Sequence, residues 1–429
     1  CTNYIIFHKA KRPFSSCTSQ EVFERTKKGA YNMNIVILQK GRRNRTMKEQ
    51  ALPAAFAEYS DARKAGFLKV KAAKEAGRRV AGYFCTYTPL EILDAAGLIS
   101  VSLCGMSAET IPAAERDLPK NLCPLIKSSY GFYITDKCPY TYFADIIVGE
   151  TTCDGKKKMY ELMGRGKEVY VLHLPQGADL PYAKEMWRQE LRRFVGHLQQ
   201  HFGVAITDDA LRSAAEKRNL LRRRCTELME LLTRPLPPIS GTELYTFLDG
   251  LGFKFSVDES IAAVEALIET VKSQQSQNVH PGGKRILITG CPIGGVLQKT
   301  AGAVERNGGN VVCYENCSGT KRSDTMVDTS REDILNAIAD AYLNVGCAVM
   351  TPDTKRLQRL QDLVRQFHAD GVMDLSLQAC QPYLLETAAI RSLCQALKIP
   401  YIALETDYST ADSGQLDTRI AAFLETLEQ

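Results

Sequence analysis

Short apolar runs that end in cysteine, each followed by a helical stretch, constrain this chain more than any other feature. Cys85 closes Arg78-Arg-Val-Ala-Gly-Tyr-Phe-Cys, and Cys291 closes Arg285-Ile-Leu-Ile-Thr-Gly-Cys. Cys317 follows Asn310-Val-Val-Cys-Tyr-Glu-Asn, and Cys380 follows Gly371-Val-Met-Asp-Leu-Ser-Leu-Gln-Ala. Cys104 and Cys153 repeat the arrangement after Leu98-Ile-Ser-Val-Ser-Leu and Ala144-Asp-Ile-Ile-Val-Gly-Glu-Thr-Thr. Apolar strands alternating with amphipathic helices indicate parallel sheets. The carboxyl ends of parallel strands share one crevice, where ligands bind. Free thiols gathered at such ends suggest an iron–sulfur site.

The runs fall into two blocks. The first has expected strands at 79–85, 99–104, 144–151 and 168–174; the second has them at 285–290, 310–315, 346–350, 371–377 and 400–404. Between them, 182–274 is helical in period, dense in Arg and Leu and broken at Pro235-Leu-Pro-Pro. The expected fold class is α/β, with two Rossmann-like parallel-sheet domains and a helical segment between them. The expected boundaries are an N-terminal α/β domain over 47–181, a helical segment over 182–274, a polar linker over 275–284 and a C-terminal α/β domain over 285–429. Residues 47–76 read as helix, and Thr88-Pro-Leu-Glu reads as a helix start with Pro at the first helical position.

Fourteen cysteines in 429 residues are many, but they are not spaced like a secreted disulfide framework. No apolar run approaches the roughly 20 residues of a membrane span. A reducing cytoplasm is therefore the expected compartment. Residues 1–46 hold ten Lys/Arg against two Asp/Glu, whereas the remaining 383 residues carry 44 against 47. The mildly acidic body excludes a nucleic-acid protein. The basic leader reads as a disordered or non-native stretch, with a targeting peptide as its rival. Six histidines in the whole chain disfavour a His-based metal centre.

Proline follows directly in Leu122-Cys123-Pro and Lys137-Cys138-Pro. It restricts the preceding residue to extended geometry, which can aim a thiolate out of a loop. Cys85, Cys123, Cys138 and Cys380 are the candidate ligands on these grounds. Cys291 lies in a strand-to-helix turn, Thr289-Gly-Cys-Pro-Ile-Gly-Gly, that could also cradle an anion. Cys225, Cys313, Cys347 and Cys394 read as packing, while Cys104 and Cys153 are balanced between packing and ligation. Asp154-Gly-Lys-Lys-Lys reads as a capping Asp followed by a solvated lysine face. Glu405 and Asp407 also follow a strand, though a solvated turn explains them as well as acid–base chemistry does. No Ser–His–Asp or Cys–His arrangement stands out.

Several motifs in order resemble the 2-hydroxyacyl-CoA dehydratase/benzoyl-CoA reductase superfamily. They are Gly82-Tyr-Phe-Cys-Thr-Tyr-Thr-Pro-Leu-Glu, Asn121-Leu-Cys-Pro-Leu-Ile-Lys-Ser, Glu150-Thr-Thr-Cys-Asp-Gly-Lys-Lys-Lys, Glu315-Asn-Cys-Ser-Gly, Gln378-Ala-Cys and Ile402-Ala-Leu-Glu-Thr-Asp-Tyr. The resemblance spans about residues 47–429. It implies a 4Fe-4S cubane held by Cys85, Cys123 and Cys380, with one iron open and no protein side chain assigned to catalysis. Thiols at Cys138 and Cys291 resemble the double-cubane branch, in which two linked cubanes take six cysteines of one chain. Cys138, Cys291 and Cys317 are then the expected second set, with Cys104 and Cys153 in reserve. The resemblance further implies a homodimer fed single low-potential electrons by a separate homodimeric, ATP-dependent iron–sulfur activator. Its substrate would be a small molecule or an acyl-CoA. The rival expectations are a 2-hydroxyacyl-CoA dehydratase subunit with a single cluster, working through a ketyl radical, and a non-catalytic binding or assembly protein.

Overall fold

The computed structural model describes residues 61–273 and 276–427, so the leader over 1–46 and the start of the expected first helix lie outside the described residues. Strands β1 (Val80–Tyr83), β2 (Ile99–Ser102), β3 (Ile146–Glu150) and β4 (Val169–Leu172) form one sheet in the order β2-β1-β3-β4. Strands β5 (Arg285–Gly290), β6 (Asn310–Glu315), β7 (Gly371–Leu377) and β8 (Tyr401–Thr406) repeat that order as β6-β5-β7-β8. Every pairing is parallel. Strands β1, β3, β6 and β7 are buried at every position, as strands covered on both faces must be. The fold is therefore α/β with two Rossmann-like sheets.

The repeated order has a functional consequence. In each sheet the chain leaves the first strand in one direction and later crosses to its other side. The switch points lie between β1 and β3 and between β5 and β7, where open α/β sheets bind ligands.

Four helices join the sheets: α1 (Ala183–Phe202), α2 (Asp208–Glu230), α3 (Gly241–Gly250) and α4 (Val257–Ser273). Each start agrees with helix-capping chemistry where a cap is formed: Thr207 caps α2, and Ser240 with Glu243 makes a full capping box on α3. These helices also tie the halves together. Arg188 of α1 pairs with Asp340 at 2.8 Å, while Arg218 and Arg222 of α2 pair with Asp94 at 2.6 Å and Glu91 at 2.7 Å.

Two sequence expectations are corrected. The run 346–350 forms no strand. It is a turn between helices Ile334–Leu343 and Thr354–Gln366. Five apolar residues cannot be assigned to strand or buried loop by periodicity alone, and here β5 already sits between β6 and β7. The turn is instead pinned to the first half: Tyr87 Oη donates to the Val345 carbonyl at 2.8 Å, and Thr351 N donates to the Gln176 carbonyl at 2.8 Å. The second correction concerns Thr88. Pro89, not Thr88, holds the N-cap of helix Leu90–Ala95, and the buried Thr88 hydroxyl donates to Glu150 at the end of β3.

One glycine is required by geometry. Gly290 ends β5 at φ 120°, and a Cβ there would lie 2.0 Å from the Leu375 carbonyl oxygen. That close approach lets Cys291 N donate to the same carbonyl at 2.9 Å, which fixes Cys291 against β7.

Candidate metal centre

The thiols stand where the strand ends predict. Cys85, Cys104 and Cys153 follow β1, β2 and β3, and Cys291, Cys317 and Cys380 follow β5, β6 and β7. Four cysteines occupy helix N-caps: Cys123 before Pro124–Ile134, Cys138 before Pro139–Phe143, Cys153 before Asp154–Met163 and Cys380 before Gln381–Leu397. The amide-rich end of a helix favours thiolate over thiol. The four differ in what their sulfurs do. Cys138 Sγ accepts from Thr141 N and Cys153 Sγ accepts from Lys156 N, each at 3.5 Å. Cys123 and Cys380 make no cap hydrogen bond of that geometry, though the Leu125 and Ile126 amides act on Cys123 and the Tyr383 amide on Cys380.

Those two sulfurs meet each other. The Cys380 thiol lies within hydrogen-bonding reach of Cys123 and donates to it, which pulls Cys123 down to about 7 and pushes Cys380 up. Cys291 belongs to this group: burial first, and then the Cys123 charge, raise its thiol. A second group forms around Cys85. Burial raises the Cys85 thiol, Lys156 opposes the rise, and Cys317 and Cys347 add to it. Cys104, raised to about 11 chiefly by burial, also interacts with Cys317, and its Sγ donates to the Phe84 carbonyl at 3.0 Å. Buried Tyr408 interacts with Cys291, Cys123 and Cys104.

Charge interactions link Cys85 with Cys317 and Cys347, and Cys123 and Cys380 with Cys291, which in turn feels Cys317. Cys138 Sγ accepts from its own helix, and the charge effect seen from it falls on Tyr140. Cys347, which sequence alone assigned to packing, reaches the Cys85 group because the 346–350 turn is docked on the first half. Its only advance signal was another cysteine in an apolar run, with its destination hidden.

The surroundings are polar and incompletely satisfied. Buried Thr86 Oγ1, Thr152 Oγ1, Asn316 Nδ2, Thr320 Oγ1 and Tyr408 Oη lack hydrogen-bond partners. Buried polar atoms are normally paired, so a cluster of orphans beside Cys85, Cys153 and Cys317 marks space for a polar group. All the described cysteines are free. Buried thiols held protonated by desolvation, beside orphaned donors, fit a sulfur-ligated metal cluster that would take them as thiolates.

Two cationic elements flank the thiols. Lys156 is only 9% exposed, unlike the solvated lysine expected from Asp154-Gly-Lys-Lys-Lys, and its place as third residue of a Cys-capped helix turns it inward. Burial opposes its charge, but Tyr160, Cys85, Glu150 and Cys104 hold its pKa above the ordinary range. On the second sheet, Glu315 pairs with Lys321 and with Arg356, each at 3.1 Å. Lys321 Nζ donates to Tyr383 Oη at 3.0 Å, and that hydroxyl lies 3.6 Å from Cys347 Sγ. Positive charge is therefore built in beside Cys85, Cys317 and Cys347. Of the two acid–base candidates, Glu405 is exposed, and Asp407 accepts from Ser409 N at 2.7 Å within a turn. Among the described residues one compact single-ion cluster exists, Glu168 with His197 and His201, whose donors lie within 4.8 Å of one another. It sits before β4, at the opposite end of that strand from the thiols. No helix of the described residues is long and apolar enough to cross a membrane.

The profile of the family described as 2-hydroxyglutaryl-CoA dehydratase, D-component, matches residues 85–427. The Escherichia coli (strain K12) protein YjiM, provisionally named a dehydratase subunit, is 47% identical over 379 residues, covering 88% of this chain and 98% of its own. The (R)-phenyllactyl-CoA dehydratase beta subunit of Clostridium sporogenes is 22% identical, over 83% of this chain and 94% of its own. A benzoyl-CoA reductase subunit from Thauera aromatica is 23% identical, over 79% and 87%. The chain belongs to the 2-hydroxyacyl-CoA dehydratase/benzoyl-CoA reductase superfamily, and within it to the D-component family. It is an enzyme component of the dehydratase or reductase type.

Proposed function

We propose that this chain is a double-cubane iron–sulfur reductase component. Its six ligands would be Cys85, Cys317 and Cys347 in one set and Cys123, Cys291 and Cys380 in the other. The observation that carries the proposal is the number of interacting thiols: two sets of three, four of them at strand ends and Cys123 and Cys347 from connecting segments, are twice what one three-thiol cubane takes. Cys104 adjoins the first set as a reserve, and Cys138 is left out because its sulfur caps its own helix. When bound, the cluster would supply single low-potential electrons. The chain's own residues would do the rest: Lys156, Lys321 and Arg356 offset anionic charge, and the Cys380 thiol holds Cys123 toward its thiolate.

Low-potential electrons need a donor, and the family resemblance supports a homodimeric, ATP-dependent iron–sulfur activator acting on a homodimer of this chain in the cytoplasm. The substrate class is a small molecule, with an acyl-CoA as the alternative. Iron and sulfide analysis after air-free expression and purification tests the reading. About eight irons per chain is the expected outcome. About four would support instead a dehydratase subunit with a single cluster, and an iron-free, colourless protein would sink both.

A further inference from the structure

A solvent-open cleft of about 830 Å³, mouth included, runs between the end of β1 and helix α2, and Cys85 lies in its wall. Four cationic side chains line it, Arg218, Arg222, Lys254 and Arg322. Three are already paired. Arg218 grips Asp94 through two nitrogens at 2.6 and 2.8 Å, Arg222 meets Glu91 at 2.7 Å, and Lys254 meets Glu259 at 3.5 Å.

Arg322 differs. It is half-buried, and among the described residues no carboxylate lies within 4.0 Å of its guanidinium. Its electrostatic neighbours are Tyr83, Asp249 and Cys317. Asp249 is held by Ser318, whose Oγ donates to it at 2.8 Å. Gly252 lines the same cleft without a side chain, and a Cβ there would reach van der Waals contact with Arg322 Nη1 at 4.0 Å. Nearby, the buried Thr86 hydroxyl lines the same cleft without a hydrogen-bond partner. A fork of N–H donors lacking an anion, a hydroxyl lacking a partner and a thiol of the proposed centre therefore share one cleft.

We infer that this cleft binds a small free carboxylate, with Arg322 gripping the carboxylate group and the rest of the molecule directed toward Cys85. Guanidinium and carboxylate match as planar, two-point partners. The inference rests on the proposed function for the meaning of Cys85, and it narrows the substrate class from small molecules in general to carboxylates that carry no coenzyme thioester. The protein itself builds the binding site, so binding can be read separately from iron content.

The test is calorimetric titration of the full-length protein with propionate and with acrylate, with uncharged propionamide as the control, and with iron measured on the same sample. Both carboxylates should bind and propionamide should not. Arg322→Ala should weaken binding about tenfold or more, the loss expected for a charge-assisted hydrogen-bonded pair. Arg322→Lys, which keeps the charge and loses the fork, should fall between, and Arg359→Ala, an exposed arginine paired with Asp324, should bind like wild type. Absence of carboxylate binding, an equal response to propionamide, or unchanged affinity in Arg322→Ala would overturn the inference. If iron stands at the expected level in a sample that binds no carboxylate, this inference alone fails. If iron is absent while the carboxylates still bind through Arg322, the cluster reading fails and the anion site stands.

Discussion

Cys347→Ala should lose about half of the bound iron, roughly four of eight atoms, while Cys138→Ala keeps all of it. The contrast is large because the expectation reverses what the two sequence settings suggest. Cys138 precedes a proline and looks poised, yet its sulfur accepts the Thr141 amide at 3.5 Å and serves its own helix. Cys347 looks like packing, yet it interacts with Cys85 and Cys317 and lies 3.6 Å from the Tyr383 hydroxyl, next to Lys321. Iron analysis of both variants, purified without air beside the wild type, checks the expectation. Equal iron in Cys347→Ala and wild type, or a loss in Cys138→Ala, would restore the ligand set read from sequence.

Arg356→Ala should destabilise the protein by about 3–5 kcal/mol, because removing one partner of a buried ion pair strands the other. The Arg356 side chain is 1% exposed and serves three groups at once. Its Nε meets Glu315 at 3.1 Å, its Nη2 donates to Thr289 Oγ1 at 2.8 Å, and its Nη1 binds Glu386. The guanidinium also lies 5.1 Å from the Tyr383 ring, over which Lys321 stands at the same distance. Alanine would leave Glu315 with Lys321 and Thr289 alone. Lysine should recover little, since one ammonium cannot reach three partners. Against a typical stability of about 5–15 kcal/mol, the loss is severe and readable as a lower urea midpoint. A change below about 1 kcal/mol would mean that the network is not stabilising as drawn.

Much of the fold was legible because its signals are local. An apolar run followed by an amphipathic helix implies a parallel strand, and the runs at Val80–Tyr83 and Arg285–Gly290 behave accordingly. The run at 346–350 departs from this pattern because its burial comes from docking on the first half, a contact that no local period encodes. The site was legible only in outline. Strand-end cysteines could be found by reading along the chain, but their grouping depends on how two sheets and four helices bring distant segments together. That is why the charge interaction of Cys85 with Cys317 and Cys347 could not be read along the chain. Lys156 was misread for the same reason: it follows an Asp and looks solvated, but Cys153 takes the cap and the lysine turns toward Glu150 and Cys85. Arg322 carried no sequence signal at all, because an arginine that lacks a carboxylate can be recognised only once its neighbours are known.

Under the proposed function, iron lies between the two switch points and is held by thiols from both sheets. Iron-edge anomalous diffraction from crystals grown without air would locate it. The expected result is iron density among Cys123, Cys291 and Cys380 on one side and Cys85, Cys317 and Cys347 on the other. Density confined to the surface group Glu168, His197 and His201, or none at all in protein expressed and purified without air, would contradict it.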